Sequence, residues 1–195
     1  MFRPLAILAS KSPRRERILR KIGINFEIIP SNIPEELDFN ISPENLAEQL
    51  SKKKVRKISK KHQNKIIIGA DTIVYHGKEI FGKPRDKDEN YKMLRSLSGK
   101  THKVVTGVSI AHKNQDILKT FSQITEVTVR KIPSDELLYY INNYSSFDKA
   151  GGYGIQDWSS VWIKKINGCF YNVMGLPLSK FYKHYSRIEK ALKNV

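Results

Sequence analysis

A single cysteine, Cys169, stands in 195 residues. No internal disulfide can form, which suits a reducing, cytoplasmic setting. No stretch approaches the roughly 18 consecutive apolar residues of a membrane-spanning helix, so no membrane partner is expected. The opening MFRPLAILAS imitates a secretory signal, yet its apolar stretch 5–9 falls short of the roughly 7-residue minimum. Lys11, Arg14 and Arg15 follow at once, and the segment reads instead as a strand. Acids are scarce: 19 Asp and Glu against 35 Lys and Arg leave a formal net charge of +16. Such a charge asks for an anionic partner or a plainer cause. A composition rich in Lys, Ile and Asn supplies the plainer one, with most lysines as solubilising surface. The densest basic run, 52–61, carries no interleaved aromatic, so it lacks the stacking platform of a strand-binding groove and argues against nucleic acid. The histidines are scattered without zinc spacing, and Cys169 reads as packing.

What is present suffices for a folded domain. Hydrophobic residues make up 39% and aromatics 10%, lean but globular, and the length allows one sizeable core. No repeat and no dividing linker appears, so residues 1–195 read as one domain. Apolar runs at 5–9, 26–29 and 65–69 predict short strands, the first and third buried on both faces. Ser12–Pro13 and Ser42–Pro43 each pair an N-cap with a proline at the first helical position. They predict helices to about Ile22 and Lys61. Strands at 72–75 and 79–81 form a hairpin around His76–Gly77. A helix over 86–98 opens with the capping box Asp86 and Glu89. Two longer strands, 103–112 and 118–130, precede a short helix at 134–142. A second hairpin, 161–166 and 170–173, turns at Asn167–Gly168. The last helix begins at Pro177 with the stripe Phe181, Tyr182, Tyr185, Ile188, Leu192. Strands interleaved with helices predict an α/β fold around a mixed sheet, whose ligands gather at the carboxyl ends of central strands.

Two predicted strand ends carry chemistry, Ser10–Lys11–Ser12–Pro13–Arg14–Arg15 and Gly69–Ala70–Asp71–Thr72. On a helix beginning at Pro13, Arg14 and Arg15 share the side of Ile18, Leu19 and Ile22, which faces the sheet. Two inward guanidinium groups at a helix N-terminus make a seat for phosphate; the plain alternative is that they snorkel to solvent. A kinase site or address tag would need this stretch exposed, which its framing opposes. Asp71 is either a satisfied loop carboxylate or a base or metal ligand. Gly77–Lys78–Glu79–Ile80–Phe81–Gly82–Lys83 imitates a P-loop, but Pro84 removes the metal-binding hydroxyl and no helix follows directly. Lys83 keeps a phosphate role open. The segment Gly151–Gly152–Tyr153–Gly154–Ile155–Gln156 either admits a ligand close to its backbone or is a plain loop.

Six segments, in order and along nearly the whole chain, carry a resemblance: LASKSPRRERIL, GADTIV, GKPRD, LSGKTHKVVTGV, DKAGGYGIQ and INGCFYNVMGLPL. With them the chain resembles the Maf-type nucleoside triphosphate pyrophosphatases, and within that family the dTTP/UTP subgroup. The resemblance implies a two-lobed, elongated fold around a twisted mixed sheet, like that of inosine triphosphatases, with the site in a cleft between lobes and often a homodimer. It implies hydrolysis of dTTP and UTP to monophosphate and pyrophosphate; both the clearing of non-canonical nucleotides and a link to septum formation and division arrest are associated with the family. A divalent cation, Mg, Mn or Co, would assist. The phosphate-binding serine and arginines fall on Ser10, Arg14 and Arg15, and the helix lysine on Lys54, with Lys52 and Lys53 as neighbours. Lys83 is the further phosphate-binding lysine. The acid of the first loop falls on Glu35, beside Glu36, and would hold the metal with Asp71. Asp71 is the implied general base. Arg14, Thr72 and Gln156 carry the identities that separate dTTP/UTP enzymes from relatives acting on 7-methyl-GTP. That modified purine triphosphate is the alternative substrate. A basic nucleic-acid-binding module with a decayed site is the alternative class.

Overall fold

The computed structural model describes residues 5–34 and 41–193. Glu35 and Glu36 lie outside the described residues. The elements run β1 (Ala6–Leu8), α1 (Pro13–Lys21), β2 (Phe26–Ile28), α2 (Pro43–Ser59), β3 (Ile66–His76), β4 (Glu79–Phe81) and α3 (Lys87–Leu97). They continue β5 (Thr101–His112), β6 (Ile117–Val129), α4 (Ser134–Asn143), β7 (Ile163–Asn167), α5 (Phe170–Val173) and α6 (Leu178–Lys193). Among the described residues this is an α/β fold on a seven-stranded sheet ordered β2-β1-β3-β5-β6-β7, with β4 on β3. The sheet is mixed. β1 lies parallel to both β2 and β3, while β4 and β7 run antiparallel to β3 and β6.

The caps act as their residue types require. Ser12 accepts from the Arg15 N–H and Ser42 from the Asn45 N–H, each with proline at the first helical position. At α3 the Asp86 carboxylate caps the Glu89 N–H at 2.7 Å, while Glu89 reaches back to the Arg85 N–H at 2.7 Å. The reciprocal bond therefore falls one residue before the expected capping box.

The chain divides into two compact units, one of residues 1–71, 106–123 and 175–195, the other of 72–105 and 124–174. In the first unit β1, Ile66–Ile68 of β3, Ile18 and Leu19, Leu46 and Leu50, and Phe181 and Tyr185 are all buried, and Ile7, Ala9 and Ile67 pack with Val55, Ile58 and Ala111 in one cluster. Tyr182, expected on the same stripe as Phe181, is 45% exposed. The second unit packs Leu94, Leu97, Val127, Leu137, Tyr140, Tyr153, Ile155 and Trp162 into one core. In the first unit α2 comes close to β3 and β5 at two glycines. A Cβ on Gly69 would stand 2.7 Å from Val55 Cγ1, and one on Gly107 2.3 Å from the Ala47 carbonyl carbon.

Two sequence expectations are corrected. The runs 65–69 and 72–75 are one uninterrupted strand, so Asp71 is the sixth of the eleven residues of β3 and does not stand at a strand end. Gly69 marks the close approach of α2, and the acid is tolerated inside the strand because α2 brings it a cation. Residues 170–173 form a helical turn instead of a second hairpin arm. Asn172, fully buried, donates its amide to Val104 O and Thr125 Oγ1, both at 3.0 Å. Those tertiary bonds replace a strand ladder there, and β7 pairs with β6 alone, Val127 opposite Ile166.

Candidate active site

Strand register brings the segment that follows β1 alongside the middle of β3. Leu8 pairs with Ile68, and the Ala9 N–H donates to Ile68 O at 2.8 Å, so the chain leaving β1 passes beside Ala70 and Asp71. Ser10 is buried, and its Oγ accepts from the Ser12 N–H at 3.2 Å and from Arg15 Nη1 at 3.1 Å. Two donors fill the acceptor side of this hydroxyl, which leaves its hydrogen to be given to an anion. The N-cap and Pro13 set the helix phase, and that phase buries Arg15 against the sheet while Arg14 is half-buried. Arg15 Nε donates to Gly175 O at 2.8 Å. The Gly175 carbonyl and the Ser10 hydroxyl hold the planar fork in place.

α2 supplies the other cation. Of three consecutive lysines, Lys53 is exposed, Lys52 half-buried and Lys54 buried. Lys54 shares its face with Leu50, Ser51, Val55 and Ile58. The approach permitted by Gly69 carries its Nζ to 2.5 Å from Asp71 Oδ1 and 3.3 Å from Ala70 O. The two side chains are 6% and 9% exposed. An ion pair at that depth survives only with close geometry and a further hydrogen bond, and both are present.

The second unit holds Thr72, Lys83 and Gln156. Thr72 follows Asp71 in β3 and is half-buried; Lys83 is exposed, just beyond β4. The glycine-rich segment is tied to the Lys83 segment by the Gly151 N–H donating to Gly82 O at 2.9 Å. It is no loose loop, since Tyr153 and Ile155 are buried. The Tyr153 hydroxyl meets His102 Nε2 at 2.7 Å. Burial, reinforced by nearby His76, pushes the His102 pKa down to about 4, so this imidazole is neutral at pH 7 and serves as a strut. Gln156 Nε2 donates to Asp157 Oδ1 at 2.8 Å.

Sequence reasoning missed three residues at these sites. Gly175, whose carbonyl anchors Arg15, lies inside the segment INGCFYNVMGLPL, to which no role attached. Lys149 and Asp157 pair at 3.4 Å beside Gln156; the only sequence signal was their place within or next to DKAGGYGIQ. Among the described residues no three His, Cys, Asp or Glu side chains form a metal-holding group, and no helix is long and apolar enough to cross a membrane.

A profile described as Maf-like protein matches residues 6–188. A protein of Thermosipho africanus named dTTP/UTP pyrophosphatase is 49% identical over 176 residues, covering 90% of this chain and 89% of that one. Another so named, from Carboxydothermus hydrogenoformans, is 43% identical over 176 residues, covering 90% and 94%. The structure of the Staphylococcus aureus Ham1 protein is a looser likeness, with TM-score 0.45 and 14% identity over 64% of this chain and 71% of that one. A profile match spanning nearly the whole length, with relatives this close over nine-tenths of it, makes the chain a member of the Maf-like protein family.

Proposed function

We propose that this protein is a nucleoside triphosphate pyrophosphatase that hydrolyses dTTP and UTP to the nucleoside monophosphate and pyrophosphate. The observation that carries the reading is the buried Lys54–Asp71 pair on β3, in the strand that pairs with β1, from which Ser10 and Arg15 follow. The relatives named dTTP/UTP pyrophosphatase support the substrate class.

Several negative charges on a triphosphate must be offset before water can attack. Arg14 and Arg15 offer two-pronged donors, and Lys54 and Lys83 add point charges. Ser10 gives its hydroxyl hydrogen to a phosphate oxygen. Asp71 takes the proton of the attacking water as the α–β anhydride bond breaks and pyrophosphate leaves, and Lys54 keeps that carboxylate oriented while it waits. Asp71 and Glu35 are the carboxylates that would hold a divalent cation accompanying the nucleotide. When bound, Mg, Mn or Co neutralises phosphate charge and polarises the water beside it. Thr72 and Gln156 read the base edge. A homodimer in the cytoplasm belongs to the same reading, and sedimentation equilibrium reports the first of these.

The test is a pyrophosphate-release screen over canonical and modified triphosphates with each cation. UTP and dTTP are expected to lead. If 7-methyl-GTP outpaces both, the specificity assignment to Arg14, Thr72 and Gln156 fails. If no triphosphate is cleaved while nucleic acid binds with a steep salt dependence, the enzyme reading fails.

A further inference from the structure

Gln156 has one polar atom to spare. Its amide lies 2.8 Å from an oxygen of Asp157, and a carboxylate only accepts, so the atom facing it has to be Nε2. The orientation of this amide therefore follows from chemistry. The opposite atom, Oε1, is buried and has no hydrogen-bond partner among the described residues. Buried acceptors of this kind are uncommon in native proteins and call for a cause.

Asp157 is itself held. Its second oxygen lies 3.4 Å from Lys149 Nζ. The Lys149 side chain, 10% exposed, also meets Asp148 Oδ1 at 2.8 Å and the Ser145 carbonyl. The backbone beneath them is braced, because Ser159 Oγ and the Asp157 N–H both donate to Gly154 O at 2.8 Å. A buried lysine, a carboxylate and an amide thus form a chain ending on one bare acceptor. The hydrolytic chemistry calls on neither Lys149 nor Asp157.

We propose that Lys149 and Asp157 are positioning residues that lock Gln156 as an obligate hydrogen-bond acceptor. The base it reads must then offer an N–H at that point. Uracil and thymine do so with their imide N3–H, whereas cytosine presents a bare N3 lone pair against the locked oxygen. Without Asp157 the amide is free to turn over and offer its NH2 group to cytosine. The inference rests on the dTTP/UTP reading above and on Gln156 as a base-reading residue.

The experiment compares kcat/KM for UTP and CTP in wild type, Asp157→Ala, Gln156→Leu and the double variant, with a thermal melt of each. Wild type is expected to favour UTP. Asp157→Ala should lower the UTP:CTP ratio by about tenfold or more, the scale of a buried acceptor losing its enforced partner. In the Gln156→Leu background, Asp157→Ala should change the ratio no further, because it acts through that amide. A purely structural role would depress both substrates alike and leave the ratio untouched, which overturns the proposal. So does an effect of Asp157→Ala that persists when Gln156 is already Leu, or a wild type that cleaves UTP and CTP equally. If Asp157→Ala does not fold, Asp157→Asn takes its place. Its amide can meet either end of Gln156, so the ratio should fall there also, and an unchanged ratio refutes the lock. A wild type inert on both UTP and dTTP instead defeats the functional reading, which separates the two failures.

Discussion

Replacing Lys54 by Met keeps the aliphatic stem in the α2–β3 packing and removes only the ammonium. The Asp71 side chain, 9% exposed, then loses the charge 2.5 Å from its Oδ1. Unit charges at that distance attract by about 6–7 kcal/mol at an effective dielectric near 20. Much of this offsets the desolvation of both groups, so the pair itself contributes little net stability. The asymmetry lies in breaking it: an uncompensated buried charge costs about 3–5 kcal/mol, a large part of the roughly 5–15 kcal/mol that holds a domain folded. With a urea slope of about 2 kcal/mol/M, the midpoint should drop by about 2 M. Urea titration followed by far-UV circular dichroism measures it. Lys54→Met/Asp71→Leu, which removes both charges, should recover most of the loss, since an apolar replacement for a buried pair is often neutral. A midpoint unchanged by Lys54→Met, or a double variant as unstable as the single, would refute the reasoning that this pair is a desolvated ion pair.

Asp71→Asn should abolish pyrophosphate release while nucleotide still binds by calorimetry; full activity would remove Asp71 from the mechanism. His102 predicts an acid-sensitive fold. Its folded pKa of about 4 lies below the ordinary value near 6.5, so the unfolded chain takes up the proton first as pH falls. The stability it contributes is complete above about pH 6.5 and is lost by about 3 kcal/mol on the way down to pH 4. His102→Gln should flatten that part of the urea-midpoint profile, and parallel profiles would exclude it. Gly107→Ala should cost at least about 2 kcal/mol in denaturant unfolding, because the new Cβ meets the Ala47 backbone, which cannot step aside. Gly82→Ala, with nothing within 4 Å of its Cβ, should stay within about 0.5 kcal/mol, and equal costs would contradict this account.

Local signals in the chain were sufficient wherever the interacting groups are near neighbours. Ser12–Pro13 and Ser42–Pro43 begin helices because a hydroxyl and a fixed φ act within one turn. The apolar run around Ile66 makes a strand because nothing in it can face water. The same starts set the phase that turns Arg15 inward, and six short segments carried the family. Tertiary structure decided what depends on a distant partner. It set which of three adjacent lysines is buried, since α2 must first come down on Gly69 before Lys54 finds Asp71. It allowed an acid to sit within β3, because the neutralising cation comes from 17 residues earlier in the chain. It turned 170–173 into a helical turn, through bonds from Asn172 to Val104 and Thr125. It paired Arg15 with Gly175, separated by 160 residues. Spacing along a sequence encodes the period of a helix or strand, but the neutralisation of a buried charge is settled only when the chain has closed on itself.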